Sequence, residues 1–119
     1  MLNGLLSNCI FCRIGNGDVR SDKVYEDEEF FAFKDINPQS PVHVVVIPKK
    51  HISDLSVASD GDKVMLGCIQ LLIAKIAKQF SELNNGFRVV SNCGYDAGQT
   101  VFHMHYHLLG GRIFAWPPG

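Results

Sequence analysis

Nowhere among the 119 residues is there an apolar run near the roughly 20 that a membrane-spanning helix requires. The opening Met1-Leu2-Asn3-Gly4-Leu5-Leu6 also lacks the basic start and long apolar stretch of a secretory signal. Charge of neither sign is in excess: 11 Lys and Arg stand against 12 Asp and Glu, for a formal net charge of -1. Such a chain has no broad positive field with which to collect phosphates along a duplex, so general nucleic-acid binding is excluded and any phosphate must be held by local groups. The Gly-Lys-Ser/Thr of a P-loop is missing, which excludes nucleoside triphosphate hydrolysis in that style. Internal repeats, low-complexity tracts and linkers are absent too, so residues 1–119 are expected to form one domain, with 1–8 a flexible leader and 112–119 a tail. Four cysteines do not make a disulfide framework in a chain that is 46% hydrophobic and long enough to bury its own core. Reduced thiols and a cytoplasmic setting, with the nucleus also open to it, follow as expectations.

What is present reads as strands, one helix, then strands. Val42-His43-Val44-Val45-Val46-Ile47 is β-branched and nearly continuous in apolar character, which predicts a strand buried on both faces and stopped by Pro48. Phe30 to Phe33 and Phe87 to Asn92 are shorter strand candidates. Met65, Leu66, Ile69, Leu72, Ile73, Ile76, Ala77 and Phe80 recur at three- and four-residue steps, which predicts a long amphipathic helix entered near Ser59-Asp60 and left near Asn84-Asn85-Gly86. Ile10 to Ile14 suggests one further helical turn. Hairpin-length connections around a single helix favour an α+β domain, a mostly antiparallel sheet with the helix on one face.

Histidine is the residue in surplus, with five copies: His43, His51, His103, His105 and His107. Phe102-His103-Met104-His105-Tyr106-His107-Leu108-Leu109 alternates with the two-residue period of a strand, which would send Phe102, Met104, Tyr106 and Leu108 to one face and three imidazoles to the other. Solvated surface histidines would be the bland explanation of such a row. Two chemistries could use it. Alternate strand histidines can ligate a catalytic zinc that keeps an open water position. Alternatively, one imidazole is a nucleophile toward phosphorus, its other nitrogen held as a donor to a carbonyl, while its neighbours bind the anion. The preceding Asn92-Cys93-Gly94-Tyr95-Asp96-Ala97-Gly98-Gln99-Thr100 is a glycine-bearing loop suited to presenting N–H groups to a phosphate.

The segment His103-Met104-His105-Tyr106-His107-Leu108-Leu109 resembles the signature of the histidine triad superfamily, His-φ-His-φ-His-φ-φ with φ apolar. Cys9-Ile10-Phe11-Cys12, Ala32 to Pro38, Val46 to His51, Gly98 to Phe102 and Trp116-Pro117-Pro118-Gly119 are similar to further segments of that family. The terminal tetrapeptide and Gly110-Gly111-Arg112 resemble its Hint branch, the nucleoside phosphoramidases, more than the dinucleoside polyphosphate hydrolases. The third histidine argues against the nucleotidylyltransferase branch, which carries Gln there.

The resemblance implies a homodimer with an α/β-meander that hydrolyses purine nucleoside 5′-phosphoramidates, of the adenosine 5′-monophosphoramidate type, through a nucleotidylyl-histidine intermediate. His105 would be the nucleophile, His107 would bind a non-bridging phosphate oxygen, and His43 would position the catalytic ring. Asn92, the Gly98 and Gln99 backbone and the Thr100 hydroxyl would hold the phosphate. Relatives usually carry Ser in place of Thr100, whose extra methyl would narrow the leaving-group side. Asp35, with Ile36 beside it, would take the ribose hydroxyls, a carboxylate being a good acceptor for a vicinal diol. Ile10, Phe11, Ile14 and Phe33 would sandwich the base, and Trp116 would approach the partner subunit's site. Taken alone, these apolar residues would be core in most small domains, and Asp35-Ile36-Asn37-Pro38 would be a turn. A dinucleoside polyphosphate hydrolase of the same fold and a nucleotide- or zinc-binding interaction module are the alternatives.

Cys9-x-x-Cys12 has three readings. A redox pair lacks its βαβ setting, and two inert buried thiols are the plain one. The favoured reading makes the pair half of a structural Cys₂His₂ zinc site completed by His51 and His103, the histidines that the phosphate chemistry does not need. Four protein ligands would leave no position for a catalytic water.

Overall fold

The computed structural model describes residues 8–119; the leader expected at 1–8 lies almost wholly outside them. The elements are α1 (Ile10–Gly15), β1 (Asp22–Glu26), β2 (Phe30–Lys34), β3 (Val42–Pro48), α2 (Lys63–Ala77), β4 (Phe87–Val90) and β5 (Tyr106–Gly110). The five strands form one sheet in the order β1-β2-β3-β5-β4, and every pairing is antiparallel. No helix among the described residues is long and apolar enough to cross a membrane.

Strand alternation divides the molecule into two layers. Ala32 of β2, Val42, Val44 and Val46 of β3, and Tyr106 and Leu108 of β5 pack under Ile69, Leu72, Ile73, Ile76 and Ala77 of α2. Each fully buried aliphatic there contributes about 1.5–3 kcal/mol relative to exposure. The intervening positions, Phe31, Phe33, Val45 and Ile47, form a second cluster with Ile14 of α1, against which Phe11 and Val19 pack. β3 is thus buried along its whole length, as its β-branched run predicts. His43 and His107 fall on this second face, opposite α2, because they alternate with Val44 and Leu108.

Two expectations are corrected, and one strand was not anticipated. β1 has no clear alternation, and its register shifts between Lys23 and Tyr25, so periodicity did not reveal it. The helix is shorter than its pattern: a capping turn at Asp60–Asp62 leads into Lys63, and at the other end Phe80 turns extended and a separate turn forms at Ser81–Leu83. The histidine segment is regular strand only from Tyr106. Phe102 is 55% exposed rather than packed under the helix, while Met104, Tyr106 and Leu108 keep their expected place in the core. The physical reason is that Met104 N–H donates to the Ile52 carbonyl at 2.6 Å instead of to a neighbouring strand, which bends the chain before β5.

Candidate active site and metal centre

A cleft of about 740 Å³ opens on the second face of the sheet. Its apolar end is lined by Ile10, Phe11, Ile14, Val19, Phe33 and Val45, and its polar end by Asn92, Gly98, Thr100, His43, His105 and His107. Asp35 and the fully exposed Ile36 lie on its rim. α1 supplies one wall, with Phe11 edge-on to Phe33 at 5.6 Å and to His105 at 5.0 Å between ring centroids.

The backbone dictates which nitrogen of each imidazole carries the proton. His105 Nδ1 lies 2.7 Å from the His103 carbonyl, which only accepts, so Nδ1–H donates and Nε2 keeps a bare lone pair. The Gln39 N–H donates to His43 Nδ1 at 3.0 Å, so a neutral His43 carries its hydrogen on Nε2. That nitrogen sits 2.8 Å from His107 Nδ1 and 3.4 Å from Asp35 Oδ2. His107 Nδ1 is therefore an acceptor, and its Nε2–H remains as a donor. Register explains this pair: His43 is opposite Leu109 and Val45 is opposite His107, which makes the two rings diagonal neighbours on one face.

Burial holds the rings neutral. It pushes His107 down to about 4, helped by the charges that His105 and His43 would carry; it lowers His43 against the opposing pull of Asp35, and His105 against the hydrogen bond to the His103 carbonyl and then Asp35. The polar end of the cleft thus offers one uncharged nucleophilic nitrogen beside one N–H donor.

The loop before β5 contributes differently from expectation. Gly98 N–H donates to the Tyr95 carbonyl and Gln99 N–H to the Gly94 carbonyl, so both amides are used within the loop. The buried Gln99 side chain accepts from Gly94 N–H and donates to the carbonyls of Ser53 and Val101, clamping the loop onto the segment after His51. Gln99 does not line the cleft, whereas Thr100 and Asn92 do.

Behind the cleft, Cys9, Cys12, His51 and His103 converge, with all four ligand atoms within 4.8 Å of one another, and this cluster can hold a metal ion. His103 Nδ1 lies 3.4 Å from Cys9 Sγ, 3.5 Å from Cys12 Sγ and 3.2 Å from His51 Nδ1. His103 Nε2 is 2.7 Å from the Pro48 carbonyl and donates to it, which leaves Nδ1 as a lone pair aimed into the cluster. The ring is fully buried and its pKa falls to about 4, chiefly by desolvation, so it is a neutral ligand at physiological pH.

A profile of the HIT domain matches residues 16–113. The chain belongs to the HIT family. It is 45% identical over 115 residues to an uncharacterized HIT-like protein of Synechocystis, covering 97% of this chain and all of the relative. The crystal structure of a HIT family hydrolase from Legionella pneumophila superposes with a TM-score of 0.92 at 43% identity, covering 94% of this chain and 100% of that one. A Zn-bound histidine triad protein from Mycobacterium smegmatis matches with a TM-score of 0.75 at 35% identity, over 88% of this chain and 76% of that one.

Several residues of this HIT domain's cleft carry no advance signal in the sequence. Val19, Arg20, Ser21, Lys34 and Gln39 also line it. Gln39 acts on His43 through its backbone N–H, a group that every residue except proline possesses, so no residue-type pattern points to it. Trp116 is 82% exposed in the single chain.

Proposed function

We propose that this HIT domain hydrolyses purine nucleoside 5′-phosphoramidates, of the adenosine 5′-monophosphoramidate type, through a nucleotidylyl-His105 intermediate. The observation that carries this reading is the orientation of His105, a buried neutral ring whose Nδ1–H is held by the His103 carbonyl while it lines the cleft beside a histidine N–H donor. The Nε2 lone pair forms the bond to phosphorus, the P–N bond breaks, and the departing nitrogen takes a proton from solvent and leaves as an amine. Water then attacks phosphorus and gives its proton back to solvent, the P–N bond to His105 breaks with its electron pair returning to Nε2, and the nucleoside monophosphate leaves. His107 Nε2–H, Asn92 and the Thr100 hydroxyl hold the phosphate oxygens, Asp35 takes the ribose diol, and Ile10, Phe11, Ile14 and Phe33 enclose the base. Asp35 already accepts from Asn37 N–H through Oδ1, which keeps the carboxylate on the rim of the cleft.

The test is a side-by-side assay of an adenosine 5′-phosphoramidate and a dinucleoside polyphosphate, with acid-labile nucleotidyl-protein trapped by rapid quench. Faster turnover of the phosphoramidate with a trapped adduct supports the reading. Preference for the dinucleotide, or tight monophosphate binding with negligible turnover of either substrate, overturns it.

For the metal centre we assign zinc. Tetrahedral Zn–S bonds of about 2.3 Å and Zn–N bonds of about 2.0–2.1 Å place ligand atoms about 3.3–3.8 Å apart, close to the 3.2–3.5 Å that separates His103 from Cys9, Cys12 and His51 and His51 from Cys12. Two cysteines and two histidines are a closed structural set, so the ion's contribution is to tie α1 and the segment carrying His51 to the residue that orients His105. Reduced thiols at Cys9 and Cys12 suit a cytoplasmic setting.

The dimer completes the reading. β4 is an edge strand with Phe87 and Val89 exposed, and Val64, Cys68 and Leu71 form an exposed ridge on α2 at i, i+4 and i+7. A second copy covers both and receives Trp116 near its cleft. Replacing Val64 and Leu71 together by glutamate is expected to give a folded monomer by light scattering; an unchanged mass in the variant, or a monomeric wild-type protein, counts against this interface.

A further inference from the structure

The chain leaving β5 returns toward the cleft along a path that only glycine permits. Gly111 has φ +90°, and a Cβ there would lie 2.8 Å from the Pro41 Cβ. This close approach carries Arg112 over the segment between β2 and β3. Arg112 Nε donates to the Gln39 carbonyl at 3.2 Å, and its Nη1 donates to the Ile113 carbonyl at 3.2 Å. The Arg112 guanidinium stacks on Phe114, 4.2 Å from the ring centroid. Arg88 approaches the same ring at 4.9 Å and donates to the Ala115 carbonyl at 2.9 Å, so the tail is seated from β4 as well. The inner end of this clamp is Gln39, the residue whose N–H selects the tautomer of His43.

We propose that Arg112 is a positioning residue for the His43–His107 pair. By holding the Gln39 carbonyl it keeps the Gln39 N–H on His43 Nδ1, which obliges His43 Nε2–H to donate to His107 Nδ1 and leaves His107 Nε2–H as a donor in the cleft. Once Gln39 swings away, only the Asp35 carboxylate, 3.4 Å from Nε2, still favours the hydrogen there, and part of the His43 population moves it to Nδ1. Its bare Nε2 then faces His107, which must carry its own hydrogen on Nδ1, and the cleft receives a His107 lone pair in place of an N–H. A phosphate oxygen there would be repelled instead of bonded. The C-terminal tail, through one arginine, therefore sets the polarity of two imidazoles that it does not touch. The effect on rate rests on the reaction proposed above; the effect on the tautomers does not.

The test compares wild-type protein with Arg112→Ala and Arg112→Met. Methionine keeps much of the stem but has no N–H to give the Gln39 carbonyl. Long-range ¹H–¹⁵N spectra of the substrate-free proteins read the imidazole tautomers directly. The expected result is one tautomer, Nε2–H, at both His43 and His107 in the wild type, and a second populated tautomer at both rings in each variant. In single-turnover measurements with an adenosine 5′-phosphoramidate, the rate should fall about five- to tenfold, as for loss of one hydrogen bond, with a smaller change in KM. Wild-type ring signals in both variants overturn the proposal whatever the rates do. Full recovery of signals and rate in Arg112→Met overturns it as well, because packing of the stem would then be the arginine's contribution. Absence of phosphoramidate turnover in the wild type would defeat the proposed reaction while leaving the spectroscopic result standing.

Discussion

Replacement of His105 by alanine is expected to lower phosphoramidate turnover by about four to six orders of magnitude, the scale seen when a covalent nucleophile is deleted, while leaving nucleoside monophosphate affinity within about tenfold of wild type. The asymmetry follows from geometry. Asp35, Thr100, Asn92 and the apolar wall line the cleft independently of the His105 ring, so ground-state binding survives. The bond to phosphorus does not, since His107 presents an N–H toward the cleft and His43 directs its own N–H at His107. The fold should tolerate the change, because the His103 carbonyl that loses its donor lies beside a ring anchored separately by the Pro48 carbonyl. Rapid-quench kinetics and calorimetric titration with the monophosphate check both halves. A His105→Ala variant that turns over within about tenfold of wild type would remove His105 from the mechanism.

The second large effect concerns the metal centre. Chelation of the zinc assigned there, or Cys12→Ser, is expected to lower the melting temperature by about 10 °C or more, since losing about 2–3 kcal/mol shifts a domain of this size by several degrees per kcal/mol. The cause is local: two sulfur atoms and two imidazole nitrogens already face one another, and without a cation the His103 lone pair has only weak partners. Turnover should decline in step with the folded fraction, because a four-ligand ion supplies no water to the reaction. Loss of turnover in a chelated protein that is still fully folded would instead point to a catalytic metal. An unchanged melting temperature, together with no metal in protein prepared without chelator, would defeat the assignment.

Much of the site could be read in advance from residue type and spacing. The alternation of His103, His105 and His107 marked the segment proposed to carry the chemistry, and Cys9-x-x-Cys12 marked a thiol pair of ligand spacing. The buried β3 and the apolar stripe of α2 followed from periodicity, which reflects burial directly. The failures have equally local causes. The β1 strand is half exposed and bulged, so it leaves no period-two signature. The three histidines were expected in one row, yet the chain bends between His103 and Tyr106, so the His103 ring turns to the thiols while its carbonyl serves His105. Gln99 was expected to offer its backbone to a phosphate, but its N–H donates to the Gly94 carbonyl within the loop, and its side chain ties the loop to three further backbone groups.

What the sequence determined by itself was chemistry and local geometry: which side chains can attack phosphorus or ligate a metal, and which faces of strand and helix are apolar. Those properties depend on residue identity and on neighbours a few positions away. The tertiary structure alone decided which nitrogen of each imidazole bears the proton, that the chain bends between His103 and Tyr106, and that a backbone amide at Gln39 governs the His43–His107 pair. These depend on contacts between residues far apart in the chain, such as the 94 positions between Cys9 and His103 and the 64 between His43 and His107. A histidine's donor and acceptor atoms are interchangeable until a fixed carbonyl or N–H is placed beside them, and only the folded chain places one there.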